Sequence, residues 1–259
     1  IALAIEYDAA SFFRGKVPEQ TALGVLKRGN AVCEGYADLF SRMCSAAGLT
    51  ARTVAGFARG YGSLATGRED PERQNHAWNA VRIGGGWYLV DATWDSGFLE
   101  NGAFTRRYST AFFLLKPEWM IYTHLPSESR YQLLERTIGP AEFADLPFLR
   151  GEFFDTVTSG FESLGKTLSV DALYSMRLGV VPGSVHQAML YDAGSGAFAQ
   201  YAFTDLDGGA CTLFLAPPRG KYLLILFSNK GGILTQIAEF GVVSSLKEGI
   251  PAPFVFETF

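Results

Sequence analysis

The sequence predicts an α+β first half and an all-β second half. Three observations carry that expectation. Apolar residues recur at three- and four-residue spacing through 31–47, which is a helical stripe. Two β-type runs flank Gly84-Gly85-Gly86, which is a hairpin signal. After residue 150 the chain breaks into short β-rich runs separated by Gly, Pro, Asn and Asp.

In the first half, Val32, Tyr36, Leu39, Phe40, Met43 and Ala47 form the stripe, with Gly29-Asn30 as its start and Gly48 as its stop. Thr50 to Ala58 reads as a strand. Gly60 to Asn75 is polar and Gly-rich and reads as a loop. Arg59, Arg68, Glu69, Asp70, Glu72 and Arg73 lie in or beside it, so it reads first as a solvated connection, with a substrate-gating lid as the alternative. His76–Ile83 and Trp87–Thr93 read as antiparallel strands, and a helix followed by such strands is an α+β pattern. Pro117 suits the first position of a short helix, and Pro126, Pro140 and Pro147 break the remaining connector into pieces. Strands are expected near 167–170, 173–180, 186–191, 197–203, 210–215, 221–228 and 233–242, a spacing that suggests a β-sandwich. The expected organisation is a 1–150 domain with a helical connector and a 151–259 β-sandwich.

Bulk properties exclude several classes. The chain has 259 residues, is 48% apolar and carries a net charge of −4, with no Lys/Arg run to draw it to nucleic acid or an acidic membrane. No apolar stretch reaches the roughly 20 residues that a spanning helix needs. Beginning at Ile1 rather than Met, the chain reads as processed or trimmed, and the compartment stays open. Three cysteines, Cys33, Cys44 and Cys211, give no disulfide framework, and with no CxxC pair and three histidines a structural zinc site is not expected. No cofactor or metal is implied.

Chemistry concentrates around Cys33, in AVCEGYADLF at the opening turn of the helix. Unpaired backbone N–H groups and the helix dipole favour negative charge there, which is what a thiolate nucleophile needs. Gly35 beside it carries no side chain to crowd a substrate. Such a thiolate pairs with an imidazole that takes and returns its proton. His76 opens the strand HAWNAVRI and Asp91 lies near the end of WYLVDAT. A two-residue turn at Gly84-Gly85 would set Gly86 opposite Ile83, Asp91 opposite Trp78 and His76 opposite Thr93. His76 and Asp91 would then be diagonal neighbours on one face, and the carboxylate could fix the ring tautomer. Trp94, Asn75 and Trp78 are candidate substrate-contacting residues. His124 and His186 read as structural or surface residues.

The blocks GNAVCEGYADLFSRMCSAAGL, NHAWNAVRIGGGWYLVDATW and FFLLKPEWMIYTHLP resemble the transglutaminase-like superfamily and, within it, the kyphoscoliosis-peptidase-type branch. The resemblance covers about residues 5–150. It implies a papain/transglutaminase-like catalytic domain with Cys33 as nucleophile, His76 as base and Asp91 as orienting acid. More weakly, it implies an immunoglobulin-like sandwich after residue 150. The expected activity is amide or peptide hydrolysis, or acyl transfer, through a thioester on a protein or peptide substrate. A catalytically weak or inactive transglutaminase-like scaffold that binds protein partners is the alternative. Cross-linking members carry a tryptophan upstream of the nucleophile that helps stabilise the oxyanion. No Trp precedes Cys33, which favours water over an amine as the resolving group. The Cys33 N–H is one oxyanion donor, and Gln20 is a candidate for the second.

Overall fold

A computed structural model describes residues 1–59, 70–230 and 232–252, without the side chains of Val185, Lys230 and Ile233. It divides into two compact units, Ile1–Ala144 and Asp145–Phe259. The chain is mixed α+β. The loop expected over Gly60–Asn75, with the lid read there as an alternative, lies, for residues 60–69, outside the described residues.

The first unit begins with β1 (Glu6–Tyr7), α1 (Ala9–Arg14), α2 (Ala22–Arg28), β2 (Asn30–Ala31) and α3 (Cys33–Ala46). The short helices are fixed at both ends. Asp8 caps α1 by accepting from Ser11 N, and Thr21 caps α2 by accepting from Gly24 N. Gly15 and Gly29 close them at φ 64° and 76°, a left-handed conformation that glycine adopts without steric cost. β1 and β2 pair in parallel, with Tyr7 opposite Ala31. This delivers the chain to the start of α3.

Behind α3 lies a five-stranded antiparallel sheet. Its strands are β3 (Thr50–Ala58), β4 (His76–Ile83), β5 (Gly86–Val90), β8 (Phe113–Leu115) and β9 (His124–Pro126), in the order β8-β5-β4-β3-β9. A side hairpin of β6 (Gly97–Glu100) and β7 (Ala103–Arg106), the helix α4 (Pro117–Met120) and the helix α5 (Pro140–Asp145) complete the elements. The β4–β5 turn is Gly84-Gly85 at φ 57° and 90°, with Ile83 opposite Gly86, as the two-residue hairpin requires. Asn79 on β4 ties α3 to the sheet, donating to Ala37 O and Ser41 Oγ at 3.0 Å each.

Two features differ from the sequence reading. Met43 is 52% exposed, and Cys44 turns inward instead, packing against Val81 and Val90. β5 ends at Val90 rather than continuing to Thr93. Asp91 Oδ1 accepts from Thr93 N (2.8 Å) and Trp94 N (3.1 Å), an Asx-type turn that breaks the ladder and starts the 3-10 turn Trp94–Ser96.

The second unit contains β10 (Phe148–Leu149), α6 (Gly151–Phe154), β11 (Val157–Ser159), β12 (Thr167–Val170), β13 (Tyr174–Val180), β14 (Val185–Asp192), β15 (Phe198–Ala199), β16 (Ala202–Asp207), β17 (Ala210–Leu215), β18 (Gly220–Lys230) and β19 (Ile233–Ser244). One sheet runs β10-β19-β18-β14-β15 with β12 added parallel to β19, and the other runs β11-β13-β17-β16. The single strand expected at 197–203 is two strands on different sheets, divided at Gln200-Tyr201. A period-2 pattern cannot reveal that division, because it carries no information on which partner each segment takes. Inward residues such as Leu190, Leu213, Leu215, Leu224 and Leu226 are buried, giving this unit its own core.

Candidate active site

Cys33 opens α3, whose preceding residue Val32 has extended backbone and makes no side-chain cap. The cap comes instead from a distance: Gln20 Oε1 accepts from Val32 N at 3.0 Å. No described hydrogen bond takes up the Cys33 N–H. Cys33 is buried in a small cluster with Ala37 and Ala77. Ala77 neighbours His76, so the helix start and the head of β4 meet.

The His76 ring has two neighbours of note. Nε2 lies 2.6 Å from Asp91 Oδ2. The ring's second neighbour is Cys33, whose influence, like that of Asp91, favours the protonated ring. The β4–β5 register explains the first contact. Asn79 pairs with Val90, so one step further brings Trp78 opposite Asp91, with His76 diagonal to it.

Asp91 is fully buried. A buried carboxylate without partners costs several kcal/mol. Here all its acceptor positions are filled: Oδ1 by the Thr93 and Trp94 amides, and Oδ2 by His76 and by His124 Nε2 at 3.1 Å. The electrostatics follow. Burial alone raises the Asp91 carboxyl, but the charge of His76 and the bonds from both histidines outweigh it and hold it well below the usual range. Burial alone lowers His76, but the Asp91 charge and bond, aided by Cys33, raise it to about 10. For His124, burial prevails over Asp91 and lowers it to about 4. The other thiols have no such neighbours. Burial raises Cys44, and burial aided by Asp205 raises Cys211 to about 11.

The remaining sequence candidates are placed as follows. Trp94 is half-buried and lies over the imidazoles, 5.6 Å from His76 and 4.5 Å from His124 between ring centroids. Trp78 is 1% exposed and supports the rings from the core, so a substrate cannot reach it in this conformation. The Asn75 amide is engaged with one residue of β3, accepting from Ala58 N (2.7 Å) and donating to Ala58 O (3.0 Å). It pins the approach to β4 and leaves the orientation of His76 to Asp91. Gly35 faces other parts of the protein. A Cβ there would meet Gln20 Oε1 at 2.5 Å and the side chains of Ala31 and Val25 at 2.8 Å, so the glycine permits close packing of α3.

His124, read from the sequence as structural or surface, belongs to this polar cluster. Phe112 and Asp95 were also not singled out. Asp95 Oδ1 accepts from Ser109 Oγ and Phe112 N, which seats the Phe112 ring edge-on to Trp94 at 5.0 Å. His76, Asp91 and His124 bring three donor atoms within 4.8 Å, a spacing that a metal ion could bridge. Those atoms are hydrogen-bonded to one another, so an ion would have to displace bonds that already satisfy the buried carboxylate.

Residues 1–92 match the transglutaminase-like superfamily. The chain is 35% identical over 153 residues to kyphoscoliosis peptidase of Homo sapiens, a match covering 58% of this chain and 23% of that protein. It is 31% identical to Hillarin of Drosophila melanogaster, covering 56% of this chain and 19% of that protein. It is also 31% identical to the Lim and transglutaminase domain protein ltd-1 of Caenorhabditis elegans, covering 55% and 21%. The chain thus spans less than a quarter of the length of these relatives. The family match over residues 1–92 and these relatives support the transglutaminase-like superfamily, and within it the branch of kyphoscoliosis peptidase, for the first unit of the chain.

Proposed function

We propose that the first unit is a thiol-dependent amide or peptide hydrolase working through Cys33, His76 and Asp91. The observation that carries the reading is the His76 ring, bonded to Asp91 at 2.6 Å at the head of β4, where Cys33 packs on the adjacent Ala77. The raised His76 favours an imidazolium beside the sulfur, which stabilises a thiolate. The thiolate adds to the substrate carbonyl carbon, and the oxygen takes the negative charge near the Cys33 N–H. As the C–N bond breaks, His76 gives its proton to the departing amine, leaving a thioester on Cys33. His76 then takes a proton from water as the water attacks the thioester, and returns it to sulfur as the acid product leaves. Asp91 holds the ring tautomer and the cationic form throughout. Trp94 is the side chain suited to wall the acyl pocket. Water as the resolving group is favoured because no tryptophan precedes Cys33. The substrate class is a protein or peptide, in keeping with the name kyphoscoliosis peptidase carried by a relative.

The second unit is proposed as an accessory domain of immunoglobulin-like kind that could bind a protein. What supports this is strand order. Taking β11, β13, β14, β16, β17, β18 and β19 as successive strands A to G, with β15 as C′, one sheet reads A-B-E-D and the other G-F-C-C′. A Thr204 hydroxyl on β16 donates to His186 O on β14 at 2.8 Å, which links the two sheets.

Incubation of wild type and Cys33→Ala with a peptide library tests the hydrolase reading. Cleavage by wild type alone is the expected result, and equal cleavage by both proteins overturns it.

A further inference from the structure

We propose that His124 is a positioning residue of the Cys33 site, a neutral Nε2–H imidazole that holds Asp91 Oδ2 alongside His76. The inference rests on the hydrolase reading and adds a fourth member to its polar chain.

Both ring nitrogens of His124 are accounted for. Nε2 lies 3.1 Å from Asp91 Oδ2 and Nδ1 lies 2.8 Å from Thr123 Oγ1. The Thr123 hydroxyl has one proton, and it also lies 3.2 Å from Met120 O. That carbonyl already accepts from Thr123 N at 3.1 Å. A carbonyl oxygen can accept twice, so that bond does not decide the hydroxyl; the ring is decided at Nε2, which must carry a proton because an ionised carboxylate oxygen only accepts, and the shorter Thr123 contact then runs from the hydroxyl to Nδ1. The opposite tautomer would aim a bare lone pair at a carboxylate oxygen inside the core, an unmade bond that costs free energy. The cationic form is disfavoured by complete burial and by the charge on His76.

The ring is held rigidly enough for the task. It is 1% exposed, edge-on to Trp78 at 4.9 Å and 4.5 Å from Trp94, with Phe112 at 5.5 Å. The backbone beneath it is anchored by Arg59, whose N–H donates to Thr123 O at 2.9 Å and whose guanidinium donates to Tyr122 O. A packed aromatic of the same size would fill this space without the bond. The imidazole supplies an N–H aimed at the oxygen that His76 also uses.

The consequence is electrostatic. A neutral N–H dipole on Oδ2 draws off part of the carboxylate's field at His76. Removing it strengthens the hold on the His76 proton and weakens the orientation of the carboxylate.

Site-resolved alkylation of Cys33 by iodoacetamide across pH, read by mass spectrometry, tests this without knowledge of the substrate. In His124→Phe the pH profile is expected to move upward by about half a unit or more, the size a lost hydrogen bond to a charged group can produce. In His124→Gln, which keeps an N–H donor, it is expected to stay near wild type. A His124→Phe profile that coincides with wild type, while His76→Ala still changes the profile, overturns the role of His124 and leaves the hydrolase reading standing. A His76→Ala profile that also coincides with wild type overturns both. Where His124→Phe fails to fold, nitrogen NMR of the wild-type ring decides: a neutral Nε2–H form at neutral pH supports the assignment, and an Nδ1–H or doubly protonated form overturns it.

Discussion

Each unit of this protein buries a histidine, and the two are used differently. His124 in the first unit is 1% exposed and His186 in the second is 3% exposed. Burial lowers the proton affinity of both. His124 nevertheless has Thr123 on one nitrogen and Asp91 on the other, within a ring of aromatic side chains. Among the described residues, neither ring nitrogen of His186 makes a hydrogen bond of good geometry, with only the Ser184 backbone near enough to favour its protonated form, and the Ser228 hydroxyl, directly across the β14–β18 ladder, has no partner. Burial of an imidazole therefore says little about chemistry. What distinguishes the first unit is a carboxylate with four donors and a thiol at a helix start packed on Ala77, next to the linking ring.

The largest expected effect separates the two units by activity. His76→Ala and Asp91→Asn should lower kcat/KM for any cleaved peptide by about 10³–10⁴-fold, the scale found when a triad member is removed. His186→Leu should leave the rate near wild type. Comparable losses from His186→Leu would erase the contrast.

The next effect lies in the pH profile. His76 is raised to about 10, so its protonated form persists through neutral pH and activity should fall only as pH rises toward that value. Asp91→Asn removes the charge that raises it. Whatever activity remains should then lose its alkaline limb at lower pH, toward the ordinary histidine value of about 6.5. A limb that does not move would show that another group sets it.

Packing around the site offers a smaller effect on stability. Gly56 on β3 lets β9, which carries His124, approach closely, since a Cβ there would lie 2.2 Å from Leu125 O and 2.7 Å from the Trp78 ring. Gly56→Ala should cost about 1–3 kcal/mol through overpacking, measured by denaturant unfolding. An unchanged midpoint would mean that β9 shifts freely.

The smallest effect belongs to His186. Its folded-state proton affinity is lowered, so the unfolded chain takes up the proton more readily. Stability is present above the unfolded value of about 6.5 and is lost as pH falls through that value toward the folded one. His186→Leu should therefore lose less melting temperature on acidification than wild type, by a few degrees at most. Equal losses in both proteins would show that the ring finds a partner in solution.

Much of the first unit was legible because its signals are local. The spans of β3 and β4 follow from apolar runs bounded by glycine, and the Gly84-Gly85 turn fixes the register that sets His76 diagonal to Asp91. The end of β5 was not legible, because whether Asp91 continues a ladder or turns the chain depends on which amides its side chain captures. His124 lies 33 residues from Asp91, and no periodicity links them. The one available signal was its place in a block, FFLLKPEWMIYTHLP, that carried the family resemblance without a chemical reason for the histidine. Gly35 was misread for a related reason. Its neighbours Gln20 and Val25 come from a separate helix and its approach, and only packing reveals them.

The central claim is that Cys33 forms the acyl bond with His76 managing its proton. Exposure to p-nitrophenyl acetate followed by peptide mass spectrometry tests it most directly. One acetyl group on Cys33, formed rapidly in wild type and many-fold more slowly in His76→Ala, is the predicted result. Acetylation confined to Cys44 or Cys211, or a Cys33 that reacts at the same rate without the imidazole, would contradict it.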